Sequence, residues 1–242
     1  MPTAKDQIQL LELQGLDNKL GDLKRKKQTD PSIAAVAEIS GRLVDLQASL
    51  VQANTAVSDA DREALKAHGA VTEVQNRIQR NQKRLDSGEL TPKDTIAVAE
   101  EMGTLANRLD KLEDEYMVVM ERQEACQLAG KQITNAIADM QKALQAAEVD
   151  RDNAIAAIVA EGRAVIAERD KIAGGIDQGL LSRYDSIRRR LGGVAAVRLW
   201  GGKCEGCQLQ LPPGDLDVIT NTPADQIVLC EECGRILIRV PQ

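Results

Sequence analysis

Phenylalanine is absent from the 242 residues, and one Trp, two Tyr and one His are the only other large ring side chains. Aromatics supply much of the area that a globular core buries, so their scarcity argues against an enzyme built around a large enclosed core. A single His, at position 68, cannot complete a Ser-His-Asp or Cys-His set, and general acid-base work most often recruits histidine. We therefore expect a non-enzymatic protein with no small-molecule substrate. His68 itself is expected to be solvated.

Proline is missing from 32–91 and from 93–211, so two long stretches can run as helix without a breaker. No run of eighteen apolar residues occurs, and residues 1–25 lack the continuous apolar stretch of a signal peptide. These absences predict a cytoplasmic chain with no membrane partner. A charge excess is missing too: the net charge of −6 divides as −4 over residues 1–191 (27 basic, 31 acidic) and −2 over 192–242 (4 basic, 6 acidic). Neither part is a basic nucleic-acid-binding surface as a whole.

What is present is Ala, Leu, Ile and Val within a 43% hydrophobic and 28% charged composition, the makeup of long helices with a narrow apolar stripe. From Val36 the positions 39, 43, 46, 50, 53, 57, 60, 64, 67, 71, 74, 78, 81 and 85 alternate steps of three and four, with Asn81 as the one polar member. A second such series runs from Val98 through Tyr116, Cys126 and Ile137 to Ala147. Sustained heptads of this kind predict a coiled coil. Cys126, on the seam, reads as a small apolar residue rather than a reactive thiol. Between the series, Gly88 ends one helix while Thr91, Pro92 and Asp94 start the next, which makes 87–92 the tip of a hairpin. An antiparallel return about that tip sets Tyr116 opposite Ala64 and residues 8–23 against 156–171. A bend is expected near 29–31, where Asp30 caps and Pro31 restarts the helix. Heptads alone do not decide whether the helices pair within one chain or between chains, and homo-oligomerisation stays open.

After Gly174-Gly175 a short amphipathic helix is expected over 176–193, carrying Ile176, Leu180, Tyr184, Ile187 and Leu191. The last segment, 194–242, holds Cys204-Glu-Gly-Cys207 and Cys230-Glu-Glu-Cys233. Two CxxC knuckles supply the four soft ligands that tetrahedral zinc requires, leave no coordination position for water, and so predict one structural zinc ion. Apolar runs at Val194–Trp200, Gln208–Leu211, Gln226–Leu229 and Ile236–Val240 are expected to be the strands of a small β zinc ribbon. The fold class is thus mainly α: a coiled-coil helical hairpin over 1–175, a linking helix and a C4 zinc ribbon.

The run Arg188-Arg-Arg-Leu-Gly-Gly-Val-Ala, the CxGC knuckle, Leu211-Pro212-Pro213 and the closing Cys-x-x-Cys-Gly-Arg-Ile-Leu resemble the bacterial C4-type zinc-ribbon family with an N-terminal coiled-coil hairpin. Ile238 stands where that family usually has an aromatic. The resemblance implies the same four zinc ligands and nucleic-acid binding. For one branch it implies a flagellar-assembly chaperone that engages a sigma factor and messenger RNA.

Two function classes follow. The first is an adaptor or chaperone-like protein that holds protein partners on helix and ribbon surfaces. The alternative is an RNA- or DNA-binding regulator using Arg188, Arg189 and Arg190 with Trp200, Lys203 and Arg235, the indole stacking on a base. Glu205, Glu231 and Glu232 beside the knuckles oppose a phosphate backbone, and Trp200 has a second reading as a side chain packed between ribbon and helix. The basic run Lys24–Lys27, like the three arginines, also reads as solvated helix surface.

Overall fold

A computed structural model describes residues 3–239. The expected strand residue Val240 and the outermost residues of the first and last segments lie outside that range. Nine elements follow one another: α1 (Ala4–Gln28), α2 (Pro31–Asp86), α3 (Pro92–Ala173), α4 (Gln178–Arg190), β1 (Ala196–Trp200), β2 (Lys203–Cys204), α5 (Pro213–Asn221), β3 (Val228–Leu229) and β4 (Ile236–Arg239). They form two compact units, residues 35–147 and residues 1–34 with 148–242.

In the first unit α2 and α3 pair antiparallel within one chain, as ion pairs Arg77–Glu101 and Arg122–Glu63 show. Every seam position between Val36 and Leu85, and between Val98 and Ala147, is buried or half-buried, Cys126 among the half-buried. Gly88 adopts φ +68° at the tip, a left-handed conformation that glycine reaches without a Cβ clash. Thr91 Oγ1 then accepts from the Asp94 amide at 3.2 Å and donates to its carboxylate at 2.6 Å, so the third helix starts from a reciprocal cap. Asn81 is buried on the seam, and its Nδ2 has no hydrogen-bond partner.

The cross-helix register differs from a simple reflection about the tip. Tyr116 meets the exposed His68, ring centroids 5.4 Å apart, one turn beyond Ala64, and Gly130 lies against Val57. Helical side chains lean toward the N-terminus of their own helix. In an antiparallel pair that tilt raises the summed residue numbers of touching partners, which is the sign observed.

In the second unit Asp30 Oδ1 accepts from the Ser32 amide at 3.0 Å and caps the restart at Pro31, where α1 gives way to α2. Leu16, Leu20 and Leu23 of α1 lie with Ile158 and Val165 of α3 in one apolar cluster, beside the Lys19–Glu161 ion pair. Asp177 caps α4 by accepting from Leu180 N at 3.0 Å.

The C-terminal strands make one four-stranded sheet, ordered β2-β1-β4-β3. β1 and β2 are joined by a Gly201-Gly202 turn, β1 runs parallel to β4, and β3 is antiparallel to β4. One expectation needs correction, and one helix was not expected. Gln208–Leu211 is not a strand: Gln208 turns back at φ +64° to donate to Cys204 O, and only Gln210 makes an isolated bridge, to Lys203. The chain then forms α5, whose signals are Pro213 in the first turn, Asp215 near the N-terminus, and Leu216 and Ile219 three apart. Arg239 ties the C-terminal end of α5 to β4 by donating to the carbonyls of Ile219, Thr222, Pro223 and Gln226.

The sheet has an apolar layer on each face. One consists of Leu10 and Leu13 of α1, Leu180, Tyr184 and Ile187 of α4, and Ala195, Ala196, Ile236 and Ile238 of the ribbon. Ile238 is wholly buried there. The other layer holds Val197, Leu211, Ile219 and Leu237 around the cysteines.

A polar cluster lies beside the first layer. Asp17, 3% exposed, accepts from Arg169 Nε at 2.8 Å and from Tyr184 Oη at 2.7 Å, and Arg188 Nε lies 3.3 Å away. Gln14 Oε1 accepts from the amides of Ala195 (2.7 Å) and Ala196 (3.2 Å), while its Nε2 donates to Gly193 O (2.9 Å). Burial and the bond to Asp17 hold the Tyr184 phenol protonated well above its usual range. Removing one partner of a buried charged set leaves the others uncompensated, at a cost of about 3–5 kcal/mol. Asp17→Ala is therefore expected to lower the urea stability of this unit by that amount, followed through the single Trp200. A loss under about 1 kcal/mol would show that the cluster is not holding the unit together.

Candidate metal centre

The first cysteine pair is presented where β2 ends and the chain turns, and the second where β3 ends and turns into β4. Both are paired strands, so the knuckles are carried on the sheet and not on free loops. Cys204 Sγ lies 3.8 Å from Cys233 Sγ, and Cys207 Sγ 3.9 Å from Cys230 Sγ. All four sulfurs fall within 4.8 Å of one another. A tetrahedral zinc with Zn–S bonds of about 2.3 Å has edges of about 3.8 Å, so the set suits one zinc ion with four thiolates.

Local sequence explains the approach. A Cβ on Gly206 would sit 2.6 Å from Arg235 Cδ and 3.1 Å from Val197 Cγ1, so the CxGC knuckle needs glycine where the Arg235 stem crosses it. The amides of Cys207 and Gly206 donate to Cys204, those of Cys233 and Glu232 to Cys230, and that of Arg235 to Cys233. Such bonds orient thiolate ligands and tune their basicity. In the metal-free set, burial pushes the Cys204 thiol up to about 12 and the Cys230 thiol upward as well. Burial opposes ionisation of Cys233, but the Arg235 amide and side chain, together with Cys230 and Cys204, outweigh it and bring that thiol to about 7.

The other sequence-derived site residues divide. Arg188 is committed to Asp17, and Arg235 Nε donates to Val194 O at 3.1 Å. Arg189 and Arg190 are exposed at the end of α4, Arg190 Nη2 lying alongside Gly234 of the second knuckle. Trp200 and Lys203 are a cross-strand pair at the β1–β2 turn, the indole 55% exposed, so it is not packed between ribbon and helix. Two of the six thus hold internal partners, and four are displayed. Sequence reasoning missed Gln14, Asp17 and Arg169; the signal for the first two was polar residues set among Leu10, Leu13 and Leu16.

Comparison with known proteins agrees with this architecture. Residues 13–192 match the CT398-like coiled coil hairpin domain, and residues 203–237 match the C4-type zinc ribbon domain. The uncharacterized protein Rv2229c of Mycobacterium tuberculosis is 28% identical over 234 residues, 97% of this chain and 95% of its own. A solved structure from Mycobacterium smegmatis is similar at TM-score 0.83 with 26% identity, covering 99% of this chain and 100% of that one. CT398 from Chlamydia trachomatis shares the fold at TM-score 0.66 and 19% identity, with 98% of each chain covered.

Two outcomes follow. The purified chain should carry one zinc; after chelation the layer around the cysteines loses order, while helical circular dichroism stays nearly intact because the Leu10 and Tyr184 layer needs no metal. Melting of the helices with the ribbon would contradict this. Secondly, zinc must displace protons from at least Cys204 and Cys230 near neutral pH, so affinity rises with pH, by roughly a hundredfold per unit for two protons. Competition against a chromophoric chelator at two pH values checks it, and a flat profile would contradict it.

Proposed function

The chain belongs to the family of CT398-like coiled-coil hairpin proteins that carry a C4-type zinc ribbon, and from that premise we propose that it is a non-enzymatic adaptor or chaperone-like protein for protein partners. The observation that carries this reading is a set of exposed apolar side chains on rigid elements. On α2, Val44, Val51 and Leu65 are 62%, 67% and 73% exposed. They are spaced by multiples of seven, so they share one face outside the seam. Such a line on a helix suits a partner helix. On the ribbon, Trp200, Leu209 and Val218 are exposed on a platform fixed by the cysteine set and by the Asp17 cluster. Exposed apolar groups on ordered elements mark interaction surfaces more often than catalytic ones.

Non-enzymatic action is supported by the position of His68, whose ring neighbour is Tyr116 on the hairpin. A cytoplasmic setting accords with four reduced thiols serving as metal ligands, and no helix among the described residues is long and apolar enough to cross a membrane. The nucleic-acid alternative is weakened, since Arg188 and Arg235 are engaged internally and Glu205, Glu231 and Glu232 are exposed around the knuckles.

Crosslinking in cells, followed by identification of bound protein and bound RNA, tests the proposal. Specific proteins should be recovered after nuclease treatment, and Arg189→Ala with Arg190→Ala should leave that recovery unchanged. Recovery of RNA that falls steeply with salt and with those two substitutions would favour the alternative.

A further inference from the structure

One cleft of the ribbon opens between α5 and β3, backed by the zinc ligand Cys230. Asp215, Val218 and Ile219 of α5 and its C-cap Thr222 stand on one side of it, at the i, i+3, i+4, i+7 spacing of a helix stripe. They face β3 across a cavity of about 130 Å³ lined also by Leu211, Val228, Leu229, Glu231 and Leu237. Val218 at the mouth is 68% exposed.

Beside the cavity the sheet has an open margin. Among the described residues, β3 is an outer strand of the order β2-β1-β4-β3 and pairs only with β4. The Cys230 amide donates back to Arg235 O, so by strand alternation the N–H and C=O of Leu229 point away from β4, toward the open side. Such an edge invites an added extended segment.

The charge around it has one sign. Asp215 and Glu231 line the cavity, Glu232 is exposed next to it, and no basic residue lines it. Arg239, the cation of β4, is turned to the carbonyls that follow α5 and does not neutralise this rim.

We propose that this cleft between α5 and β3 is a docking site for an extended basic peptide segment of a partner protein, which lies along the β3 edge, places one aliphatic or aromatic side chain in the cavity, and sets Lys or Arg against Asp215 and Glu231. The inference rests on the adaptor reading and names its site. Backbone pairing would supply affinity, the cavity a single anchor, and the acidic rim both selectivity and salt sensitivity.

The test uses the full-length, zinc-loaded chain and a positional-scanning library of acetylated hexapeptides with Leu fixed at the third position, read by affinity selection and mass spectrometry. Lys and Arg should be enriched several-fold at positions flanking the Leu. Val218→Glu and Glu231→Lys should each cut capture of the best peptide by about tenfold or more, with zinc content and circular dichroism unchanged; at exposed sites they leave the fold intact. Selection without a basic preference, or capture that Val218→Glu does not alter, overturns the inference. The cellular crosslinking arm keeps the two readings apart. If wild type and Val218→Glu recover the same protein partners, the adaptor reading stands and the cleft falls, whereas recovery of no partner by wild type overturns both.

Discussion

One buried carboxylate, Asp17, joins the helices of the second unit to one another beside the ribbon. It receives Arg169 from α3 and both Tyr184 and Arg188 from α4. A turn earlier on α1, Gln14 accepts from the Tyr184 hydroxyl and from the first two amides that lead into β1. An uncompensated charge in such a place is costly, so these groups come together or the junction does not form. Because Gln14 addresses backbone amides, the link does not depend on which side chains the ribbon carries. The apolar layer of Leu10, Leu13 and Tyr184 against Ala195, Ile236 and Ile238 then closes over it.

This arrangement changes the meaning of the metal. A ribbon of some fifty residues without Phe buries little apolar area alone, and four thiolates around zinc replace part of that missing core. The replacement is local. Leu211, Ile219 and Leu237 surround the cysteines on one face of the sheet, while the opposite face is held by α1 and α4 without any metal contact. The zinc set and the Asp17 cluster thus fix the same sheet from opposite faces, and exposed residues such as Trp200 and Val218 are displayed from a firm support.

Helical organisation and the zinc ligands were legible because each follows a period or a spacing. Heptads located the seam, Gly88 and Thr91–Pro92 located the tip, and paired CxxC motifs located the ligands. The register was less legible, since a reflection about the tip ignores the lean of side chains along their own helix, and Tyr116 meets His68 as a result. The α5 helix was hidden in a segment judged by its flanking strands, although Pro213 and Asp215 mark its start. Least legible was the junction. Arg188 and Arg235 look like surface cations in a linear sequence, and only the return of α1 to the ribbon shows that one pairs with Asp17 and the other caps a carbonyl.

In the account proposed here, the chain acts by presenting ordered surfaces, an apolar line on α2 and a ribbon with an acidic-rimmed cleft, and not by turning over a substrate. It depends on the ribbon being fixed to α1 and α4 rather than tethered by a flexible joint. Residual dipolar couplings of the zinc-loaded protein measure this directly. Amides of Ala196–Trp200 and Ile236–Arg239 should fit the same alignment tensor as those of Ala4–Gln28 and Gln178–Arg190, whereas a separate, smaller tensor for the strands would contradict the account.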